Sequence, residues 1–211
     1  MIKILKLPQP SIELVELCRH MAITAPLEMN LKKLHDNIQN HTVNSVSRKF
    51  IEDNDELNLL VNREFQNYFR HPMYPALGIV KNIGDTIACW PPHSDRTRIF
   101  ALNYYIEEGG SNVQTVMYNT IDNYDAGKGT GNIFPYRGLT LDQVFHLDMN
   151  QWYAFNVRKV HSIENVVSTR LILTLSFHDL NYFDFLNMYP DYIGDHVTSE
   201  QGNFDHIKNK L

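Results

Sequence analysis

Between Pro75 and Phe177, apolar residues recur at alternate positions in short runs, and residues that favour turns separate the runs. Side chains two apart share a face only in extended backbone, so this half of the chain is expected to pair in sheets. The runs cover residues 76–81, 86–90, 99–106, 113–118, 152–160 and 170–177, and the last is apolar and β-branched on both faces. Gly84, within Asn82-Ile83-Gly84-Asp85, can supply the positive φ of a hairpin turn. Residues 119–137 are rich in Asp, Asn, Gly and Tyr and are predicted to form a long loop, a candidate lid. Ahead of the strands the period is helical. Ser11 is placed to cap a helix over residues 12–21, which Pro26 ends. Leu31 and Leu34 suggest a weak helical turn, and residues 37–47 read as loop. A firmer helix spans residues 55–69, with apolar residues at 57, 60, 61, 65, 68 and 69. About eight short strands behind such helices predict a mainly β fold, a cupin-like double-sheet jelly roll with helices against one face. No repeat or linker breaks the chain. One domain is expected over residues 1–211: helical support at 1–72, a jelly-roll core at 73–178 and a tail at 179–211.

The chemistry centres on Pro91-Pro92-His93-Ser94-Asp95-Arg96-Thr97-Arg98, which sits between two of the β runs. In extended backbone His93 and Asp95 point the same way, giving one imidazole and one carboxylate to a divalent metal. His161, in Phe155-Asn156-Val157-Arg158-Lys159-Val160-His161-Ser162-Ile163-Glu164-Asn165, is the candidate third ligand. Two histidines and one carboxylate on one face of a metal, with the other positions open, suit non-haem Fe(II) and oxygen chemistry. Taken singly, each residue has another use. His93 and Asp95 equally suit a solvated turn pair, His161 a satisfied core histidine, and Arg170 a surface residue capping a loop.

Composition sets wide limits. The 211 residues are 43% hydrophobic and 20% charged, enough for one substantial core. A net charge of -5 and a pI near 6.0 give no basic stripe and weigh against nucleic acid as a partner. Cys18 and Cys89 are too few for a disulfide framework and lack a C-x-x-C spacing, so a reducing compartment and buried thiols are expected. The first seven residues, Met1-Ile2-Lys3-Ile4-Leu5-Lys6-Leu7, suit neither a signal peptide nor a membrane span. A cytoplasmic protein without a membrane partner is expected.

The ordered set of His93-x-Asp95, His161 and Arg170, nine positions further on (170 − 161), resembles the 2-oxoglutarate- and Fe(II)-dependent dioxygenases. The stretches His93-x-Asp95-x-x-Arg98-x-x-Ala101-Leu102-Asn103 and Ala154-Phe155-Asn156-x-x-Lys159-x-His161-Ser162-x-Glu164-Asn165 resemble the prolyl-hydroxylase-like and aspartyl/asparaginyl-hydroxylase-like branches. The likeness covers roughly residues 75–178 and leaves out both ends of the chain. It implies a double-stranded β-helix in which His93, Asp95 and His161 hold Fe(II), leaving positions for a bidentate 2-oxoacid and O2. It implies that Arg170 grips the distal carboxylate of 2-oxoglutarate through two parallel bonds. Thr174 and Ser176, on the same face as Arg170 if the strand is regular, would add hydrogen bonds. The branches' usual Arg-x-Ser pattern is absent, because Ile172 stands in the serine's place. Arg98 and Asn103 are further candidates for cosubstrate binding, and Arg98 equally suits a salt bridge to Asp95 or Glu108. The implied reaction releases succinate and CO2 and hydroxylates an unactivated C–H bond. A protein or peptide side chain is the leading substrate class, with small molecules next. A cupin-type metal-binding jelly roll without oxygenase activity is the alternative.

The remaining signals are weaker. Trp90, Tyr104, Tyr105 and Tyr118 are expected either to line a pocket or to fill the core. Gly127-Lys128-Gly129-Thr130-Gly131 lacks the spacing of a phosphate loop, and Asn40-His41-Thr42 means little as a sequon without a secretory signal. His71, His146, His178, His196 and His206 show no spacing for a second metal. The aromatic stretch 182–193 is expected to cover the barrel or to form a homodimer contact.

Overall fold

A computed structural model describes residues 2–24, 46–82, 88–95, 98–120 and 132–200. Its strands are β1 (Ile2–Leu5), β2 (Val46–Ile51), β3 (Tyr74–Asn82), β4 (Ala88–Ser94), β5 (Ala101–Glu108) and β6 (Gln114–Thr120). They continue with β7 (Asn132–Ile133), β8 (Leu139–Phe145), β9 (Trp152–Phe155), β10 (His161–Val166), β11 (Arg170–Ser176) and β12 (Ile193–His196). One sheet has the order β12-β1-β9-β5-β11-β3-β2 and the other β7-β4-β10-β6-β8. Every pairing is antiparallel. Along the chain β3, β5, β9 and β11 fall in the first sheet and β4, β6, β8 and β10 in the second. Eight strands wound this way are the expected double-stranded β-helix, a jelly roll.

The alternation of side chains decides which face does what. Leu171, Leu173 and Leu175 of β11 point out of the barrel with Leu77 and Ile79 of β3, into the largest core. Two helices complete that core. The first, α1 (Ile12–Thr24), is fastened at its start by Ser11, whose hydroxyl accepts from Leu14 N–H at 3.2 Å. The same hydroxyl and the Ser11 N–H bond the Glu64 carboxylate of α2 (Asp55–Phe65), tying the helices together. Asn54 caps α2 by accepting from Leu57 N–H at 2.9 Å. Leu57, Leu60, Val61 and Phe65 of α2 are buried, each worth roughly 1.5–3 kcal/mol of apolar transfer. The other face of β11 carries Arg170, Ile172, Thr174 and Ser176 into the barrel. There Ala101, Tyr105, Met117, Phe145 and Phe155 form a second cluster.

Several boundaries differ from those the sequence suggests. Of the run 152–160 only β9, in the first sheet, is a strand, and β10 begins after it at His161 in the second sheet. Asn156 breaks the run, taking Arg158 N–H on its side chain at 3.2 Å and Lys159 N–H on its carbonyl. The second helix stops at Phe65, where Tyr68 N–H bonds the Phe65 carbonyl and sends Phe69 into an aromatic cluster with Phe177 and Tyr189. The N-terminal section is not wholly helical, because β1 and β2 belong to the first sheet, and β12 of the tail pairs with β1. β8, an edge strand, lies in a stretch with no strand signal. The expected hairpin turn, the weak helical turn, nearly all of loop 37–47 and the centre of the candidate lid lie outside the described residues. The lid's C-terminal end forms β7 and a short 3-10 turn, Tyr136–Gly138. The aromatic tail builds a third helix, α3 (Tyr182–Met188), whose Tyr182 and Phe185 are buried in the core. Among the described residues no helix is long and apolar enough to cross a membrane.

Candidate metal centre

β4 and β10 pair so that His93 lies opposite His161, with ring centroids 4.3 Å apart. Each imidazole is oriented by the backbone two residues before it. His93 Nδ1 lies 2.9 Å from the Pro91 carbonyl, and His161 Nδ1 lies 2.9 Å from the Lys159 carbonyl. A carbonyl can only accept, so Nδ1 carries the proton in both rings and Nε2 presents the lone pair. Such an outer partner is what fixes a metal-binding histidine. Asp95 follows β4 and is pinned by its N–H, which donates to the Val157 carbonyl at 2.9 Å. Its Oδ1 lies 3.9 Å from His93 Nε2, while its Oδ2 is bonded by Arg98. His93, Asp95 and His161 each offer one ligand atom, all within 4.8 Å of one another, and each residue is 8% exposed. Trp90 meets the His93 ring edge-on and Phe155 meets that of His161.

The three side chains open into a cavity of about 70 Å³ that also reaches Asn103, Tyr105, Thr115, Arg170 and Thr174. Arg170, the first residue of β11, is 2% exposed. Its Nη1 donates to the Glu108 carbonyl at 3.3 Å and its Nη2 to Thr115 Oγ1 at 3.2 Å. The guanidinium carbon lies 4.7 Å from the Tyr105 ring centroid, and buried Nε has no partner. Among the described residues no carboxylate lies within ion-pair distance of Arg170. Gly109 gives it room: with φ +88°, a Cβ there would stand 3.0 Å from Arg170 Cβ.

Asn103 and Thr174 both line the cavity, and Thr174 Oγ1 donates to Asn103 Oδ1 at 2.9 Å. Ser176 is buried on the same strand face without a partner for its hydroxyl, but it does not line the cavity. Arg98 lines the cavity and is engaged by Asp95. Of the aromatic candidates, Trp90 and Tyr105 line the cavity. Tyr104 packs on Trp152 in the helix-side core, and Tyr118 joins a buried network behind β10. Thr115 was not singled out by sequence, although it shares strand parity with Met117 on the barrel side of β6.

The network behind β10 uses the side chains that alternate with His161. Glu164, 1% exposed, accepts from Tyr136 OH and from Ser162 Oγ, both at 2.7 Å, and Ser162 is 2.9 Å from Tyr118 OH. Burial, then the nearby Glu164 charge, pushes both phenols well above the ordinary tyrosine range. Tyr136 thereby anchors the segment whose β7 pairs with His93 and Ser94.

No protein-family model and no curated protein matches the chain. Among solved structures the chain is similar to a prolyl-4-hydroxylase of Pseudomonas putida, at 15% identity over 84% of this chain and 91% of that one, with a TM-score of 0.43. It is similar to SnoN, a non-haem α-ketoglutarate-dependent epimerase from nogalamycin biosynthesis, at 11% identity over 82% and 77%, with a TM-score of 0.46. A third similar structure is a Trichoplax adhaerens prolyl hydroxylase in complex with a hypoxia-inducible-factor peptide, at 12% identity over 83% and 82%, with a TM-score of 0.42.

Proposed function

We propose that this chain is an Fe(II)- and 2-oxoglutarate-dependent dioxygenase, a single 211-residue domain that hydroxylates an unactivated C–H bond. The observation that carries the reading is the buried guanidinium of Arg170. A cation taken out of water without a counter-charge is costly, and the natural remedy is an anion delivered by a ligand. A dicarboxylate fits that need while its other end reaches the three ligand atoms that share the cavity. Imidazole and carboxylate donors suit Fe(II), and the set of three leaves positions for a bidentate oxoacid and O2.

In this reading His93 Nε2, His161 Nε2 and one oxygen of Asp95 hold the metal. Arg170 receives the distal carboxylate, with Thr115 and the Tyr105 ring keeping the guanidinium in place. Thr174 and Asn103, bonded to each other, set the polar wall between the two ends. Trp90, Phe155 and Ile163 keep that wall otherwise apolar and exclude water. When bound, the metal and 2-oxoglutarate supply the oxidising power: O2 and the oxoacid give succinate and CO2, and one oxygen atom goes to the substrate C–H bond. A peptide or protein side chain is the substrate class we favour, with small molecules second. A metal-binding jelly roll without oxygenase activity would have no use for a buried cation facing the metal side chains.

Anaerobic addition of Fe(II) and 2-oxoglutarate to the purified protein tests the proposal. A weak visible charge-transfer band is expected in the wild type and not in His93→Ala. Its absence from the wild type, or its persistence in the variant, contradicts the reading.

A further inference from the structure

Resting on the metal-centre reading, we infer that Arg98 is a positioning residue that holds Asp95 to a single metal bond. The two carboxylate oxygens have separate partners. Oδ1 faces His93 Nε2 at 3.9 Å, while Oδ2 is taken by Arg98 Nη2. A carboxylate can bind a divalent cation through one oxygen or through both. Two-oxygen binding would use one of the positions that a bidentate oxoacid and O2 require. Here it would also break a charge-assisted bond in a shielded site, where the Arg98 and Asp95 side chains are 13% and 9% exposed. Backbone geometry reinforces the choice, since the Asp95 N–H is fixed on the Val157 carbonyl across the strand pair. Among the described residues no other lysine or arginine pairs with Asp95. Arg98 therefore acts through Asp95, not directly on the diacid, whose guanidinium partner is Arg170.

Mn(II) alone is the probe, because loss of its free-ion spin resonance signal reports binding without turnover. Arg98→Gln is expected to weaken Mn(II) binding by about 10–100-fold, as loss of an outer-shell partner does. In an Asp95→Ala background the same substitution is expected to change nothing further. Arg98→Lys, which keeps the charge and loses the planar fork, is expected to fall between, and guards against a folding defect peculiar to the glutamine variant. With Mn(II) saturating, 2-oxoglutarate affinity is expected to fall as well in Arg98→Gln, because an Asp95 carboxylate free to bind through both oxygens takes a position the oxoacid needs. Unchanged Mn(II) affinity, an equal loss in both backgrounds, or undiminished 2-oxoglutarate affinity would overturn the inference. Wild-type Mn(II) binding by Asp95→Ala on its own would overturn the metal centre, and this inference with it.

Discussion

Replacing Arg170 with methionine separates a ligand-binding cation from a structural one. The side chain is 2% exposed and is held by one carbonyl and one hydroxyl, so the ligand-free protein bears most of the cost of a buried charge. Exchanging such a charge for an apolar side chain of similar volume is neutral to stabilising, by up to about 4 kcal/mol. Against this stands roughly 1–3 kcal/mol for the Thr115 hydroxyl left without its donor. The sum lies within about 3 kcal/mol of zero, so the ligand-free Tm should move by no more than roughly 6–12 °C. Binding should change far more. A carboxylate gripped by two charge-assisted bonds, each worth about 1.5–3 kcal/mol, loses at least ~3 kcal/mol, or more than about 100-fold in Kd. Calorimetric titration of 2-oxoglutarate into the Mn(II)-loaded protein, beside a thermal melt of the ligand-free one, reads both quantities. A variant that melts far lower and loses metal and oxoacid affinity in parallel would show that Arg170 props the fold instead.

Gly109→Ala should act on the same end of the cavity: positive φ costs about 1–3 kcal/mol and the added Cβ presses on Arg170 Cβ, so titration should show weaker 2-oxoglutarate binding at unchanged Mn(II) affinity. Glu164→Ala removes the acceptor of the Tyr136 and Ser162 hydroxyls behind β10, of which Ser162 keeps Tyr118, and denaturant unfolding should show a loss of about 1–3 kcal/mol. An unchanged midpoint would mean that water replaces the carboxylate. Burial alone would raise the Asp142 carboxyl, but its hydrogen bond to Lys159 and that side chain's charge outweigh burial and hold it below the usual range. A depressed carboxyl stabilises the fold above its unfolded value, near pH 4, and loses that contribution as pH falls through the folded value. Lys159→Met should therefore lower the neutral plateau of a stability–pH profile slightly and flatten its acid limb, and an unchanged acid limb would contradict the pairing.

The central strands, and the shared face of His93 and Asp95, were legible because both follow from alternation within single runs. His93 and Asp95 share a face by parity, and Arg170 and Thr174 share one by the same rule. Pairing between strands was not legible: nothing local in the sequence states that His161 opens its own strand, opposite His93, instead of continuing from Trp152. Edge strands escaped for a related reason. β8 and β12 are covered on one side only, so their apolar pattern is diluted by Asp142, Gln143 and Asp195. The uses of Arg98 and Ser176 depended on distances that parity does not give. Arg98 lies within reach of Asp95, whereas Ser176 has the right face and the wrong depth along β11. Glu164 stood in the motif beside His161, yet its partner Tyr136 comes from a stretch that reads as loop.

Crystals grown anaerobically with Mn(II) and 2-oxoglutarate measure the proposed site most directly. The expected density is one metal bonded to His93 Nε2, His161 Nε2 and a single Asp95 oxygen, chelated by the oxoacid, whose far carboxylate lies on the Arg170 guanidinium. Metal bound away from these three side chains, or a diacid that leaves Arg170 without an anion, would contradict it.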